Sequence, residues 1–446
     1  MNPQTAEFAP PDDAELFTAH LAIVRSRYEA AMAACGLDTL VVDAGAPPTW
    51  YRDDISADWR VNPHFRLFTP LEPADGCTLV LRPGMAPVLL QLAPADFWHL
   101  PPRPPSGAWT ASFEIEQISA DSARETRIAD LARGRIGRIG PGTDAIDARF
   151  LAEVDYQRAR KTAYELTCLR RASVRAALGH RAAVDAFRAG ASEYEIHLAY
   201  LRATAHEDAE LPYRNIVALD THGAVLHYQF KERAAPHAGA VSFLIDAGAD
   251  VGGYAADVTR SYAAAAGPFA DLLAAMESRQ QAMCAAVRPG VSWPDLHRDA
   301  HRHVAEILVE AGLARASADA LMAEGATHAF LPHGLGHLLG TQTHDAGGHM
   351  AGPDGAPLPP PDDFPTLRLT RTVEADWVVT VEPGLYFIPM LLDELRASPV
   401  GAEFDWAAIE ALMPFGGIRI EDNVRAVEGG IENLTRDAFA ALETTA

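Results

Sequence analysis

The stretch IDAGADVGGYAADVTR, residues 245–260, decides the fold of the second half of the chain. An apolar run ends in Asp246, and Asp257 follows eleven residues later, beyond a glycine-containing turn. This order predicts a β-hairpin, and pairing about a turn centred near Val251 and Gly252 places the two aspartates opposite each other. Like charges so placed destabilise a strand pair, so a buried hairpin of this kind needs a cation or a shared proton. The alternative is a solvent-exposed face.

Two further acids stand at the ends of apolar strands. Glu382 follows the β-branched run WVVTV and precedes a Pro-Gly turn, and Glu421 follows GGIRI. A lone acid at the end of a core strand costs several kcal/mol unless it is paired or binds a metal. We therefore expect the four acids to share one site.

An internal similarity links the two acid-bearing regions. GGYAAD (residues 252–257) and GGIRIE (residues 416–421) each place an acid four residues after the second of two glycines. If the similarity is not chance, it predicts two similar halves that each supply a carboxylate to a shared centre.

A histidine-rich segment, PHGLGHLLGTQTHDAGGH, spans residues 332–349. His333 and His337 have the spacing of the helical HExxH zinc motif, but Gly334 replaces the glutamate and Gly336 weakens a helix further. The glycines instead favour extended backbone that approaches a neighbour closely. We expect one histidine to be a metal ligand and the others to serve proton transfer or substrate contact. A purely structural role is the alternative for any one of them.

Carboxylates and an imidazole form a hard, oxygen-rich donor set. Such a set suits Mn²⁺ and accepts Co²⁺ or Zn²⁺. Four negative charges predict two divalent ions rather than one, and two ions about 3.5–4 Å apart can share and activate a water molecule.

The composition excludes several classes of partner. With 37 Lys and Arg against 60 Asp and Glu, the formal charge is -23, which opposes binding to nucleic acid or to an anionic membrane. The sequence has no signal-peptide pattern at its start and no apolar run long enough for a bilayer, so we expect a soluble cytoplasmic protein. The four cysteines (Cys35, Cys77, Cys168 and Cys284) are widely spaced and are expected to be reduced core residues.

The pattern of helices and strands predicts two domains. Residues 1–155 alternate helical and strand-like stretches, which is typical of a small α/β domain. A long helical pattern then opens the second domain, residues 156–446, whose later part consists of strands and turns. Residues 351–366 are too rich in Pro and Gly for regular structure and are expected to form a surface loop.

Four motifs together resemble those of the pita-bread metallopeptidases, specifically the bacterial Xaa-Pro dipeptidases (prolidases): IDAGADVGGYAADVTR, PHGLGHLLG, TVEPGLYF and GGIRIEDNVR. Organophosphorus acid anhydrolases are close relatives. The resemblance covers nearly the whole chain. It implies an α/β N-terminal domain, an α+β pita-bread domain with pseudo-twofold halves, a homodimer, and hydrolysis of Xaa-Pro dipeptides with a possible phosphotriesterase side activity.

The resemblance also implies roles for particular residues. The implied metal ligands, with the second and last bridging two ions, are Asp246, Asp257, His337, Glu382 and Glu421. Glu382 would also carry a proton, and His344 and His333 would assist catalysis. The implied substrate contacts are His227, Arg419, Tyr213 and, on a loop with Asp53 that reaches the other subunit's site, Asp54.

Two other functions compete with this interpretation. Aminopeptidase P, in the same family, cleaves longer Xaa-Pro peptides, whereas the loop with Asp53 and Asp54 favours the dipeptidase. A metal-free binding protein with the same fold is the other alternative. Such a protein should lack some of the five ligands, and this chain keeps all five.

Overall fold

The chain divides into two units in the computed structural model, which describes residues 8–140 and 146–444. The N-terminal unit comprises the described residues up to Cys168, with Val251–Tyr254 and Gly352–Ala356. The C-terminal unit comprises Leu169–Asp250, Ala255–Ala351 and the described residues from Pro357 onward.

A five-stranded mixed sheet forms the centre of the N-terminal unit. Its strands are β1 (Thr39–Asp43), β2 (Thr78–Leu81), β3 (Val88–Leu92), β4 (Glu114–Ile118) and β5 (Ile136–Ile139), in the order β4-β3-β2-β1-β5. The helices are α1 (Ala14–Cys35), α2 (Pro63–Arg66), α3 (Asp121–Leu131) and α4 (Ala148–Arg158). Pairing is parallel between β1 and β5 and between β3 and β4. Valine and leucine side chains of β1, β2 and β3 pack against Ile128 and Leu131 of α3. The α/β prediction is confirmed.

Within the described residues, the remaining strands form two three-stranded sheets and two two-stranded pairs, and eight further α-helices accompany them. The strands are β6 (Ile216–Leu219), β7 (Ser242–Asp246), β8 (Ala249–Val251), β9 (Tyr254–Ala256), β10 (Thr259–Ala263), β11 (Val378–Val381), β12 (Gly384–Tyr386), β13 (Gly417–Arg419), β14 (Asp422–Val427) and β15 (Gly430–Asn433). The helices are α5 (Ala163–Arg188), α6 (Glu193–Thr204), α7 (Pro268–Ala286), α8 (Trp293–Glu310), α9 (Ala318–Ala323), α10 (Pro389–Ala397), α11 (Trp406–Leu412) and α12 (Leu434–Thr444). One sheet has the order β10-β7-β6 and the other β11-β14-β15, with two-stranded pairs β8-β9 and β12-β13.

The hairpin predicted from residues 245–260 is present, but its register differs from the prediction. Strands β7 and β10 are antiparallel with Asp246 opposite Thr259, not opposite Asp257. The turn is centred one residue later than expected, on Gly252 and Gly253, which both have positive φ. A turn displaced by one residue moves every partner by two, so the predicted pairing of the aspartates was wrong.

The second half repeats this arrangement with the two glutamates opposite each other. Val381 pairs with Asp422, and Gly384 pairs with Arg419 in the same register. Continuing that register through the intervening residues puts Glu382 opposite Glu421. A single bridge between Thr259 and Glu421 joins the two halves at the acids. The predicted similarity of two halves is confirmed.

Other sequence predictions agree with the structure. The four cysteines are buried and free of disulfides. Residues 351–366 contain neither helix nor strand. Among the described residues, no helix is both long and apolar enough to cross a membrane.

Candidate metal centre

Three of the predicted ligands converge at the junction of the two halves. Asp257, His337 and Glu421 each offer one ligand atom, these atoms lie within 4.8 Å of one another, and all three residues are buried. Asp257 follows β9 and Glu421 precedes β14. Residues far apart in sequence therefore meet because each half delivers an acid at the end of a strand.

The glycine-rich segment reaches the site as extended backbone, as predicted. The amide of Thr380 donates to the carbonyl oxygen of His337 at 3.0 Å, and Leu338 forms a bridge with Val379. A Cβ at Gly336 would collide with the backbone carbonyl of Thr380. Glycine is required there because the segment lies directly against β11, and this contact aims His337 at the acids.

The orientation of His337 suits a metal ligand. Its Nδ1 lies 2.9 Å from the carbonyl oxygen of Leu338, so Nδ1 carries the donated proton. Its Nε2 faces Asp257 Oδ2 at 3.5 Å and Glu382 Oε1 at 3.7 Å. Burial works to lower the pKa of His337, but the hydrogen bond to Asp257 and the charge of Glu382 raise it. A proton on Nε2 of His337 thus lies where a metal cation could bind Nε2 and the carboxylates of Asp257 and Glu382.

Glu421, in the second half, is held by two residues of the first half. Its Oε2 accepts a hydrogen bond from the hydroxyl of Thr259 at 2.7 Å, and its backbone amide donates to the carbonyl of Thr259 at 3.0 Å. Arg260 donates to the carbonyl of Glu421 at 2.8 Å and to the carboxylate of Asp422 at 2.8 Å. These contacts fix the carboxylate at the junction, and Thr259 is a supporting residue that the sequence interpretation missed.

Asp246 lies beside an arginine and keeps one oxygen open. Its Oδ2 accepts a hydrogen bond from Arg419 at 2.7 Å. Its Oδ1 is buried and has no hydrogen-bond partner among the described residues. Burial raises the pKa of Asp246, although Arg419 opposes that rise. A buried oxygen without a partner is the kind of atom that an ion would satisfy.

The carboxylates crowd one another. Burial raises the pKa of Glu382 to about 7. Burial and then the charge of Asp257 raise the pKa of Glu421 well above its usual range. Burial also acts to raise the pKa of Asp257, but the hydrogen bond and charge of His337 outweigh it and lower that pKa. Without a cation, the protein therefore cannot keep all of these acids ionised at low cost.

A chain of polar contacts leads away from the acids through Tyr386, which the sequence interpretation did not single out. Arg419 donates to the Tyr386 hydroxyl at 2.9 Å. That hydroxyl lies 2.8 Å from Nε2 of His333, whose Nδ1 lies 2.9 Å from the carbonyl of Gly334. Because the Gly334 carbonyl takes the Nδ1 proton, the tyrosine donates to His333 and accepts from Arg419. The sequence signal was a tyrosine within a core strand, which needs a partner for its hydroxyl.

The other predicted catalytic and substrate residues differ in their placement. The ring of His344 lies edge-on to that of His337, with centroids 4.5 Å apart, and burial and then His337 lower its pKa to about 4. Burial, and then the charges of the site acids, raise the pKa of the Tyr213 hydroxyl. His227 is exposed on the loop after β6. These placements agree with a pocket beside the acids, and the roles themselves stay predictions.

Asp53 and Asp54 are exposed in the N-terminal unit. The carboxylate of Asp53 accepts from the amides of Asp54 at 2.8 Å and Ile55 at 3.3 Å, which stabilises a tight turn. The prediction that this loop reaches the site of another subunit stays a prediction.

Comparison with known proteins agrees with the fold and identifies the family. Residues 167–428 match the model of metallopeptidase family M24, and residues 15–154 match the model of the Xaa-Pro dipeptidase N-terminal domain. The chain belongs to metallopeptidase family M24.

Curated relatives match over almost the whole chain. The Xaa-Pro dipeptidase of Stenotrophomonas maltophilia (strain R551-3) is 42% identical over 440 residues, which cover 96% of this chain and 98% of the relative. The Xaa-Pro dipeptidase of Xanthomonas campestris pv. campestris (strain B100) is 44% identical over 441 residues, 97% and 99% of the two chains.

Solved structures support the fold alone. Pseudomonas aeruginosa aminopeptidase PepP aligns with a TM-score of 0.70 at 22% identity, covering 95% of this chain and 99% of that one. Escherichia coli aminopeptidase P with the inhibitor Pro-Leu aligns with a TM-score of 0.70 at 24% identity, covering 94% and 99%. The C-terminal unit has the pita-bread fold.

Membership of a metallopeptidase family implies divalent metal ions, and the residues present fit them. His337 presents a ring nitrogen to two carboxylates, and one buried oxygen of Asp246 has no hydrogen-bond partner among the described residues. Arg419 forms an ion pair with Asp246, and in the part of the chain that the structure describes the other carboxylates lie close by without such a pair to an arginine. This donor set has the composition that hard divalent ions prefer.

Proposed function

We propose that this protein is an Xaa-Pro dipeptidase that hydrolyses the peptide bond before a C-terminal proline. The observation that carries the proposal is the set of buried acids around His337, in a chain that is 42% and 44% identical to Xaa-Pro dipeptidases over nearly their full lengths. The two-domain division at residues 155 and 156 is part of the same proposal.

We propose two divalent ions, with Mn²⁺ preferred over Co²⁺ or Zn²⁺. Asp246, Asp257, His337, Glu382 and Glu421 would hold them, and Asp257 and Glu421 would bridge. When bound, the ions supply Lewis acidity and an activated water. The register of the neighbouring strand pairs brings Glu382 and Glu421 opposite each other, which supports a place for both carboxylates in one site.

The proposed proton carrier is Glu382. Its carboxylate oxygens lie 3.7 Å from Nε2 of His337 and 3.9 Å from Nδ1 of His333, and a carboxylate inside the site can accept and return a proton near neutral pH. His333 and His344, both with a pKa lowered to about 4, principally by burial, are neutral imidazoles at that pH. The neutral imidazole of His344 can donate a hydrogen bond to a developing oxyanion without adding charge to the site. Both ring nitrogens of His333 are already bonded, to the Gly334 carbonyl and to the Tyr386 hydroxyl, so His333 would act through Tyr386.

Arg419 is the proposed partner of the proline carboxylate. Three of its five N–H groups donate to Thr259, Tyr386 and Asp246. The two others are available for a substrate carboxylate, which a guanidinium can bind strongly. Tyr213 and His227 would line the same pocket.

We further propose a homodimer in which Asp54 meets the amino group of the substrate bound in the partner subunit. The support is a loop with exposed aromatic side chains, whose two sides are joined by a bridge between Thr49 and Ser56. On this loop Trp50 is 61% exposed and Tyr51 is 85% exposed. Large aromatic side chains left in solvent are typical of a surface that a partner covers.

The reaction is tested with a substrate panel. Gly-Pro, Ala-Pro and Leu-Pro are incubated with metal-stripped protein before and after addition of Mn²⁺, and released proline is measured. We expect hydrolysis only with metal, and none by the His337→Ala variant. Cleavage of Gly-Pro-Gly at a rate comparable with that of Gly-Pro would identify an aminopeptidase P instead. Failure to hydrolyse any of these peptides with Mn²⁺, Co²⁺ or Zn²⁺ would support a binding protein.

The dimer is tested separately. Trp50→Ser combined with Tyr51→Ser should convert the wild-type dimer into a monomer in analytical ultracentrifugation, and a monomeric wild-type protein would contradict the proposal. We also propose a cytoplasmic location, for which the support is that the four cysteines are buried and outside disulfides. The charge of -23 supports the absence of nucleic-acid partners.

A further inference from the structure

A buried glutamate outside the metal centre has no role in the proposed reaction. Glu193 is the first residue of α6, and its side chain is 1% exposed. A carboxylate is disfavoured in the core unless hydrogen bonds replace its water, although the start of a twelve-residue helix favours a negative charge. The partners of Glu193 therefore show what keeps it there.

The Glu193 carboxylate accepts four hydrogen bonds from one chain segment. Oε1 accepts from the amide of Leu219 at 2.9 Å and from Nδ1 of His222 at 2.7 Å. Oε2 accepts from the hydroxyl of Tyr228 at 2.7 Å and from the amide of Glu232 at 2.8 Å. One side chain thus binds four points of residues 219–232, which include the exposed His227.

Other contacts of this segment are made mainly at its ends and at the ring of Tyr228, which packs with Ile216, Ala218 and Leu244. Asp220, at the base of the loop, accepts from the amides of Val241 at 2.7 Å and Ser242 at 3.2 Å. Those bonds join the two ends of the loop but do not reach its middle. The rings of His222 and Tyr228 stack with centroids 4.4 Å apart, and each is also bonded to Glu193.

We propose that Glu193 is a positioning residue that fixes residues 219–232 and thereby sets where His227 meets the substrate. The inference rests on the proposed function, since it gives Glu193 a part in dipeptide binding through His227. The hydroxyl of Tyr228 is bonded to Glu193. This bond restrains the backbone next to His227 and thereby the position of the His227 side chain. Glu193 does not touch the reacting atoms, and it acts on affinity rather than on chemistry.

The test compares two glutamates of the same helical turn. Glu193→Gln keeps the shape but converts an acceptor oxygen into a donor. Glu195→Gln alters the capping box with Ser192 at the same helix end without touching the loop. Each variant is examined by hydrogen–deuterium exchange of residues 219–232 and by steady-state kinetics on Gly-Pro with Mn²⁺.

We expect Glu193→Gln to speed exchange across residues 219–232 and to raise KM about tenfold, as expected for the loss of a hydrogen bond to a charged group, with kcat within twofold. Glu195→Gln should change neither. His227→Ala should raise KM similarly, and the double variant of Glu193 and His227 should be no worse than the worse single variant, because both changes remove the same contact.

Unchanged exchange of residues 219–232 in Glu193→Gln would overturn the proposal. A double variant whose KM increase is the product of the increases caused by Glu193→Gln and His227→Ala would also overturn it. Should Glu193→Gln not fold, Tyr228→Phe removes one of the four bonds and should speed exchange in the same segment to a smaller extent. If the wild-type protein hydrolyses no dipeptide, the proposed function fails, and the exchange result alone then decides whether Glu193 fixes the loop.

Discussion

Replacing Glu382 with glutamine should stabilise the metal-free protein, and increasingly so as the pH rises. Glutamine has nearly the shape of a protonated glutamic acid but cannot ionise. In the metal-free site, burial raises the pKa of Glu382 from 4.5 to about 7. Between these values the folded protein binds more protons at this site than the unfolded chain does, so unfolding becomes easier as the pH rises.

The magnitude follows from the two pKa values. A pKa that rises from 4.5 to about 7, at about 1.4 kcal/mol per pH unit, corresponds to about 3 kcal/mol of stability. This stability is fully present below pH 4.5 and is lost by about pH 7. Relative to the wild type, the free energy of unfolding of Glu382→Gln should therefore increase by about 3 kcal/mol over this range.

The assay is guanidinium unfolding in EDTA at several pH values from 5 to 8, followed by circular dichroism. Only the difference between variant and wild type is interpreted, so that titration of acids outside the site cancels. Addition of Mn²⁺ should reverse the order, because a cation stabilises the ionised glutamate and not the amide. A difference that is independent of pH, or a wild type that gains on the variant as pH rises in EDTA, would refute the crowding of buried carboxylates.

Three further changes test the support of the site. Gly416 and Gly429 both have positive φ, but a Cβ at Gly416 would collide with the carbonyl oxygen of Asp220, whereas a Cβ at Gly429 would lie in open space. In thermal unfolding, Gly416→Ala should therefore lower stability by about 1–3 kcal/mol more than Gly429→Ala. Equal losses would show that the contact with Asp220 does not require glycine at residue 416. Thr259→Val removes the donor to Glu421 and should weaken Mn²⁺ binding in isothermal titration calorimetry, by about tenfold, whereas unchanged affinity would show that this bond does not orient the ligand. Tyr386→Phe breaks the contact between His333 and Arg419 and should reduce kcat/KM for Ala-Pro about tenfold or more; an unaltered kcat/KM would leave this tyrosine without a part in the reaction.

Element types and the convergence of the acids could be predicted from the sequence because both depend on local patterns. Continuous apolar runs that end in Asp246 or Glu382 predict strands with an acid at the end. The glycines around His337 predict extended backbone against a neighbour, and the contact of Gly336 with β11 confirms this.

The register was harder, because a small change in turn geometry alters it. Both Gly252 and Gly253 can adopt positive φ, and the sequence does not show which residues centre the turn. The predicted pairing of Asp246 with Asp257 failed for that reason. The prediction that these acids lie near each other did not depend on that pairing, since strand ends converge in either register.

Supporting residues could not be predicted because their partners are distant in sequence. Tyr386 bonds to His333 and Arg419, and Glu193 bonds to a segment that begins 26 residues later. In the sequence, a glutamate at the start of a helix is explained by the helix dipole alone. Its burial and its four hydrogen-bond donors become visible only when the loop after β6 is folded over it.

The central claim is that buried acids from both halves meet because divalent cations neutralise them. Manganese bound per chain, measured by inductively coupled plasma mass spectrometry after equilibration with Mn²⁺ and removal of the excess, tests this most directly. The account predicts about two ions in the wild type and about one or none in Asp257→Asn. A wild type that retains no metal, or an Asp257→Asn variant that retains as much as the wild type, would contradict it.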